Sequence, residues 1–360
     1  MASMTAEQRG PEPIDWALAE RIASRVAGRD PLGLSYLGSS MLRDFAEVTA
    51  EAEAAVSDLT GLRPEFKAEA VVLDRGGWVT ANIGSMRRLL APLSERASGM
   101  NYDGILAPIG RSVAGAELGL LLGYVAQRVL GQYDLMVADE GGDADAVYYV
   151  GPNILALEKR FAFRPLDFRR WIALHEVTHR AQFSGVPWLR GYFTAQVGDL
   201  LASAEPDLRR VVGAVANGVN EVLHRRNPLN ERGAVGLFAT PAQRVILDRM
   251  QALMSLLEGH GNAVMNRLGA DMVDGQERMA RVLQARRNAR GATAILQRLI
   301  GLEMKMRQYE VGEAFVDGVE RLAGFAAIDA AWRAPECLPT LAELEDPSAW
   351  LARVDSLVTS

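Results

Sequence analysis

Four histidines in 360 residues leave few ways to build a metal site, and two of the four lie four residues apart. His175 and His179 frame the segment His175-Glu176-Val177-Thr178-His179. On a helix, residues at i and i+4 project from one face, one above the other. Two neutral imidazoles so placed can grip one Zn²⁺ at Zn–N distances of about 2.0–2.1 Å. Glu176 follows the first histidine. There a carboxylate can lean toward a metal-bound water and act as general base. Chance produces this motif about once in a few hundred chains of similar composition. The competing reading is a surface helix carrying two unrelated histidines.

A catalytic zinc usually has three protein ligands and one open position, so a third ligand must come from another element. Cys337 is the only cysteine, which excludes a thiolate cluster and an intramolecular disulfide. The metzincin pattern needs a further histidine six residues after the second. It fails here, because position 182 is Gln, position 185 is Gly, and no histidine follows before His224. The other solution is a glutamate on a later helix. Glu258 follows the apolar run Met254-Ser-Leu-Leu257, where a carboxylate is costly unless paired or metal-bound. An exposed helical carboxylate is the alternative, and Glu221 and Glu303 are fallback ligands. His260 would face another side of a continuing helix. It is a candidate outer partner, transition-state donor or replacement ligand. Tyr309 and Arg307 are further candidate oxyanion donors. Asn262, four residues after Glu258, could orient it. His224, beside Arg225 and Arg226, reads as surface.

These groups need helices to hold them. The pattern predicts a helix over 14–28 capped by Asp15, a second over 40–59, and a break at Gly61 to Pro64. Ala68 to Leu73 and Trp78 to Ala81 suggest a hairpin around Arg75-Gly76-Gly77, with helix over the second half not excluded. Ser85 to Leu93 reads as helix. A long apolar helix spans 112–131, with Gly115, Gly119 and Gly123 as a face for close packing. Asp134 to Val137 and Ala146 to Val150 read as strands around an acidic, Gly-rich turn, whose spacing does not match a calcium loop. The metal helix follows, with Asp167 as its N-cap and Gly185-Val186-Pro187 as its stop. The aromatic segment Trp188 to Phe193 either lines a pocket or packs the helix end.

From 195 to 330 the pattern is almost wholly helical. Thr240-Pro241 is a strong helix start, Gly275 to Thr293 reads as a solvated face or linker, and Ile295 to Val319 is helical again. Prolines then precede a short helix from Ala349. The expected fold is mainly α with a small β component. Its organisation is an N-terminal helical region over 1–128 and a metal-binding region over 129–360, interlocked as one globular unit.

The bulk numbers limit the partners. The formal net charge is −6 and no basic block occurs, which argues against nucleic acid and an anionic membrane surface. The opening residues lack the apolar core of a signal peptide. Val113 to Leu130 carries Glu117, Gln127 and Arg128 and reads as a buried core helix rather than a membrane span. With one cysteine, a reducing cytoplasm is the expected compartment.

Further segments carry a family resemblance: Val129 to Asp134, Val150-Gly-Pro-Asn153, Leu174 to Arg190, Met254 to Gly261, Lys305 to Tyr309 with Gly312-Glu313, and Leu338 to Glu343. As a set they resemble a bacterial family of zincin-like hydrolases and zinc-dependent metalloproteases. Some members are labelled as associated with coenzyme F420 biosynthesis. The resemblance covers most of the chain from about residue 129. It implies a mostly helical protein with His175, His179 and Glu258 as zinc ligands and Glu176 as base. It does not imply a substrate, and no Rossmann-type glycine fingerprint appears.

The expected activity is hydrolysis of a peptide by zinc-activated water, with Glu176 moving the proton and Tyr309 or His260 assisting. The alternatives are a non-catalytic zinc-containing binding or scaffold protein and a hydrolase of non-peptide amides. No nucleic-acid or membrane partner is expected, and the sequence is silent on oligomeric state.

Overall fold

The computed structural model describes residues 12–28, 39–91, 107–134, 145–203, 240–287 and 302–358. These are mainly helical with one small sheet, the fold class expected from the sequence. They divide between two compact units. One draws on Met1–Ala46, Glu69–Ala162 and Leu201–Val212, the other on Glu47–Ala68, Phe163–Leu200 and Gly213–Ser360.

In the first unit, α1 (Trp16–Ala27) begins as predicted, with the Asp15 carboxylate accepting from the Leu18 N–H at 2.9 Å. Helix α2 (Met41–Thr60) runs from this unit into the second. Strand β1 (Ala68–Leu73) follows, but no hairpin does: the chain turns directly into α3 (Arg75–Leu89). The reason is local. Asp74 caps the helix by accepting from Gly77 N–H at 2.6 Å, so the glycines that look like a turn fill the first helical turn instead. Trp78 then packs among Trp16, Ala19 and Ala23 and donates its indole N–H to Gln132 at 2.8 Å.

Helix α4 (Ala107–Ala126) lays its glycine face on α1. A Cβ at Gly115 or Gly119 would stand 2.5 Å from the carbonyl oxygen of Asp15 or Ala19. The glycines therefore permit backbone contact. Only that face is covered, since Ile109 and Leu120 are 59% and 55% exposed. The segment Pro108–Ala126 has the length and composition of a membrane span, but α4 is a core helix on one side. The buried core helix expected from the sequence is thus buried along one face, where Leu122 and Ala126 lie.

Strand β2 (Gly131–Tyr133) pairs antiparallel with β3 (Asp145–Val150), Gly131 opposite Tyr149 and Tyr133 opposite Val147, and the sheet order is β1-β3-β2. β2 lies ahead of the strand expected from Asp134. The acidic turn at 135–144 lies outside the described residues. Gly151-Pro152-Asn153 opens α5 (Gly151–Phe161), and Asn153 ties it down by donating to the carbonyls of Ala126 and Val129 at 2.8 and 2.6 Å.

The second unit opens with α6 (Pro165–Gly185), the helix that carries the motif. Its N-cap is Arg164, not Asp167, because Pro165 takes the first helical position, which its fixed φ suits. Asp167 lies in the first turn and pairs with Arg164 Nε at 3.2 Å. Helix α7 (Leu189–Ser203) follows. The aromatic segment packs the helix end: Trp188 donates to the Trp332 carbonyl at 2.9 Å, and Phe183 meets Phe193 edge-on at 5.8 Å.

Helix α8 (Pro241–Met272) starts at a capping box formed by Thr240 and Gln243. Gly275 to Thr293 is not all linker, because α9 (Gln276–Arg287) buries Met279 and Leu283. Helix α10 (Leu302–Ala323) leads through 3₁₀ segments Phe325–Trp332 and Pro335–Cys337 to α11 (Leu341–Glu345) and α12 (Pro347–Val358). Trp350 of α12 is buried against Phe315 of α10 at 5.2 Å. Glu221 and His224 lie outside the described residues, as do the side chains of Glu303, Arg307 and Tyr309.

Candidate metal centre

Helix α6 is fixed on its back before it offers anything on its front. Arg180 is fully buried and donates to Glu53 of α2 at 2.7 Å and to the Phe66 carbonyl. Glu53 also accepts from the Ala68 N–H at 3.2 Å. Nearer the start of the helix, Arg170 bonds Glu51 at 2.9 Å. Two arginines thus moor α6 to α2, and the opposite face carries His175 and His179.

The third group comes from α8, where that helix crosses α10. Gly259 and Gly312 make the crossing. A Cβ at Gly259 would stand 2.8 Å from Glu313 N, and one at Gly312 would stand 3.1 Å from Gly259 N. Only glycines let two backbones approach so closely. Glu258, the residue before the crossing, is 4% exposed and directs Oε2 to within 3.5 Å of His179 Nε2.

His175, His179 and Glu258 each offer one ligand atom, and these atoms all lie within 4.8 Å of one another. Two ligands about 2.1 Å from a tetrahedral zinc stand about 3.4 Å apart. The 3.5 Å between His179 and Glu258 fits that edge. It exceeds the roughly 2.7–2.9 Å of a strong charge-assisted hydrogen bond. Both imidazoles engage their other nitrogen elsewhere. Nδ1 of His175 faces Met265 Sδ at 3.1 Å, and Nδ1 of His179 faces Gln182 Oε1 at 2.9 Å. On His179, Nε2 is the nitrogen that faces Glu258. The residues present could hold a metal ion.

In the metal-free chain, burial pushes the His179 pKa down. Glu258, by hydrogen bond and charge, and Glu176, by charge, outweigh this and raise it to about 9. Glu176 is 8% exposed, close enough for its charge to be felt at His179.

His260 does not join the three. It is fully buried, with its ring parallel to Phe325 at 5.9 Å and edge-on to Trp332 at 5.2 Å. Its Nδ1 lies 2.9 Å from Gln182 Nε2. Burial, then the charges of His179 and Arg267, lower its pKa to about 3. The glycines flanking His260 do not break the helix, since α8 runs through them.

Sequence reasoning missed Gln182 and Met265 as neighbours of the histidines. Gln182 had a signal: it lies three residues beyond His179, on the same helical face. Met265 had none, because its place depends on how α8 packs against α6.

A model of the zincin-like metallopeptidase family matches residues 14–351. The chain belongs to that family. This zincin-like chain is also similar in structure to a proposed hydrolase with a novel fold from Chloroflexus aurantiacus. The two share 32% identity over 95% of this chain and 99% of the other, with a TM-score of 0.71. No curated protein matches it. Membership of the zincin-like family supports a zinc-dependent hydrolase.

Proposed function

We propose that this zincin-like chain is a zinc-dependent metallopeptidase, cleaving a peptide or a small amide, with His175, His179 and Glu258 as ligands. The observation that carries the reading is the convergence of those three side chains from two helices, with Glu176 next to the first. When bound, zinc supplies a Lewis acid and lowers the pKa of water from about 15.7 toward 7. Glu176 is the general base, taking a proton from water and delivering it to the leaving amine. Tyr309 on α10 is the proposed donor to the oxygen that gains charge. We assign the chain to the cytoplasm, consistent with its single, buried, free cysteine.

The test pairs metal content with hydrolysis of a broad peptide library, for wild type and Glu176→Gln. The expected result is equal zinc in both proteins and hydrolysis only in the wild type. Hydrolysis surviving in Glu176→Gln would remove Glu176 from the mechanism. Zinc without turnover in the wild type would favour a binding module.

A further inference from the structure

Gln182 stands between two histidines and touches both. Its Oε1 lies 2.9 Å from His179 Nδ1. Its Nε2 donates to the Leu257 carbonyl at 3.0 Å and lies 2.9 Å from His260 Nδ1. The amide is fully buried, so no water can replace these bonds.

This arrangement has one consistent assignment of protons. The amide nitrogen can only donate and the amide oxygen only accept. Leu257 O accepts, and His260 Nδ1 must accept too. The proton of His260 then sits on Nε2, an atom with no hydrogen-bond partner among the described residues. On the other side, Oε1 requires a proton on His179 Nδ1. When His179 gives up its second proton, the lone pair is then left on Nε2, the atom facing Glu258. Reversing the amide would set Oε1 against the Leu257 carbonyl, two acceptors in a dry interior, which is costly. It would also aim N–H at His179 Nδ1 and move that ring's proton to Nε2. A ring in that state cannot bind a metal through Nε2.

We infer that Gln182 and His260 are positioning residues that lock His179 in the tautomer able to bind metal, with the Leu257 carbonyl and His260 Nδ1 selecting the orientation of the Gln182 amide. The inference rests on the proposed ligand set. Phe325 and Trp332 serve the lock by fixing the His260 ring.

The test compares zinc affinity, measured by chelator competition, for wild type, Gln182→Met, His260→Phe and His175→Ala. Gln182→Met keeps the volume of the side chain and removes all three polar contacts. It is expected to weaken zinc binding about 10–100-fold, the range for partners that orient a ligand. Its melting temperature without metal should fall, because the buried Leu257 carbonyl and His260 Nδ1 lose their donor, so affinity is compared at a temperature where both proteins are folded. His260→Phe keeps a ring against Phe325 and Trp332 but loses the acceptor. It should weaken binding less, because the Leu257 carbonyl still orients the amide. In zinc-loaded wild type, a nitrogen-15 imidazole spectrum should show His179 protonated at Nδ1. Unchanged affinity in Gln182→Met, or a His179 proton on Nε2, would overturn the lock while leaving the ligand set in place. Failure of wild type to bind zinc more tightly than His175→Ala would overturn the ligand set and the lock together.

Discussion

Gly259 and Gly312 meet backbone to backbone, one residue from the carboxylate that faces His179. The placement of Glu258 therefore depends on how closely α8 and α10 approach. Either glycine changed to alanine puts a methyl group into the opposing main chain, where no side chain can swing away. Overpacking of this kind costs about 1–3 kcal/mol. Gly312→Ala should lower the melting temperature and also reduce zinc occupancy, although residue 312 is no ligand. Full zinc occupancy in a destabilised Gly312→Ala would show that Glu258 does not depend on the crossing.

Glu258 can be separated from its rivals directly. Glu258→Ala should weaken zinc binding by more than about 100-fold, beyond the range for outer partners. Glu221→Ala and Glu303→Ala should bind as wild type does. Elemental analysis after dialysis against a weak chelator reads all three. Loss of metal from either of the latter two would move the third ligand.

The raised pKa of His179 gives a pH signature. A ligand must be neutral to bind metal, so below about pH 9 a proton has to leave His179 first. Zinc added to metal-free protein at pH 7 should release about one proton per ion from this ring, visible in weakly buffered solution. Apparent affinity should rise by about tenfold per pH unit between 6.5 and 9 from this group alone. Stability runs the other way. A pKa raised on folding stabilises the metal-free chain fully below the ordinary histidine value of 6.5, and that contribution fades as pH climbs toward 9. Metal-free protein should lose melting temperature across that window. Proton release near zero would indicate that His179 is already neutral.

Arg180 offers a test far from the chemistry. Removing one member of a buried pair leaves the other charge poorly solvated, a loss of about 3–5 kcal/mol. Glu53 keeps 23% of its side-chain exposure, so Arg180→Met should fall at the low end, about 3 kcal/mol. Arg180→Met with Glu53→Gln should recover part of it. Chemical denaturation of metal-free protein measures both. Additive losses in the double variant would mean that the two residues act independently.

Much of the site was legible because its parts follow local rules. Helical spacing pairs His175 with His179, and a lone carboxylate after the apolar run Met254 to Leu257 marks Glu258. The caps at Asp15 and Thr240 and the glycine face of α4 were equally readable. Other features depend on contacts distant in sequence. Nothing near Gly312 in the sequence indicates that Gly259 will press against it. Arg75-Gly76-Gly77 looks like a strand end until the Asp74 cap and the burial of Trp78 are known. The spacing of Gln182 from His179 was readable, but its second contact was not, because that needs His260 from another helix. The hydropathy of α4 overstated its burial, since apolar composition does not say how many faces a neighbour covers.

The proposed ligand set has a consequence for synthesis. His179 and Glu258 sit on different helices, and α8 must be in place against α6 before the pair can face each other. At about 5–20 residues per second, Glu258 leaves the ribosome several seconds after His179. A half-made chain thus carries only a two-histidine clamp of low affinity. With those ligands the centre would not form until the second helix has docked, so an unfinished or misfolded copy would be a poor zinc scavenger.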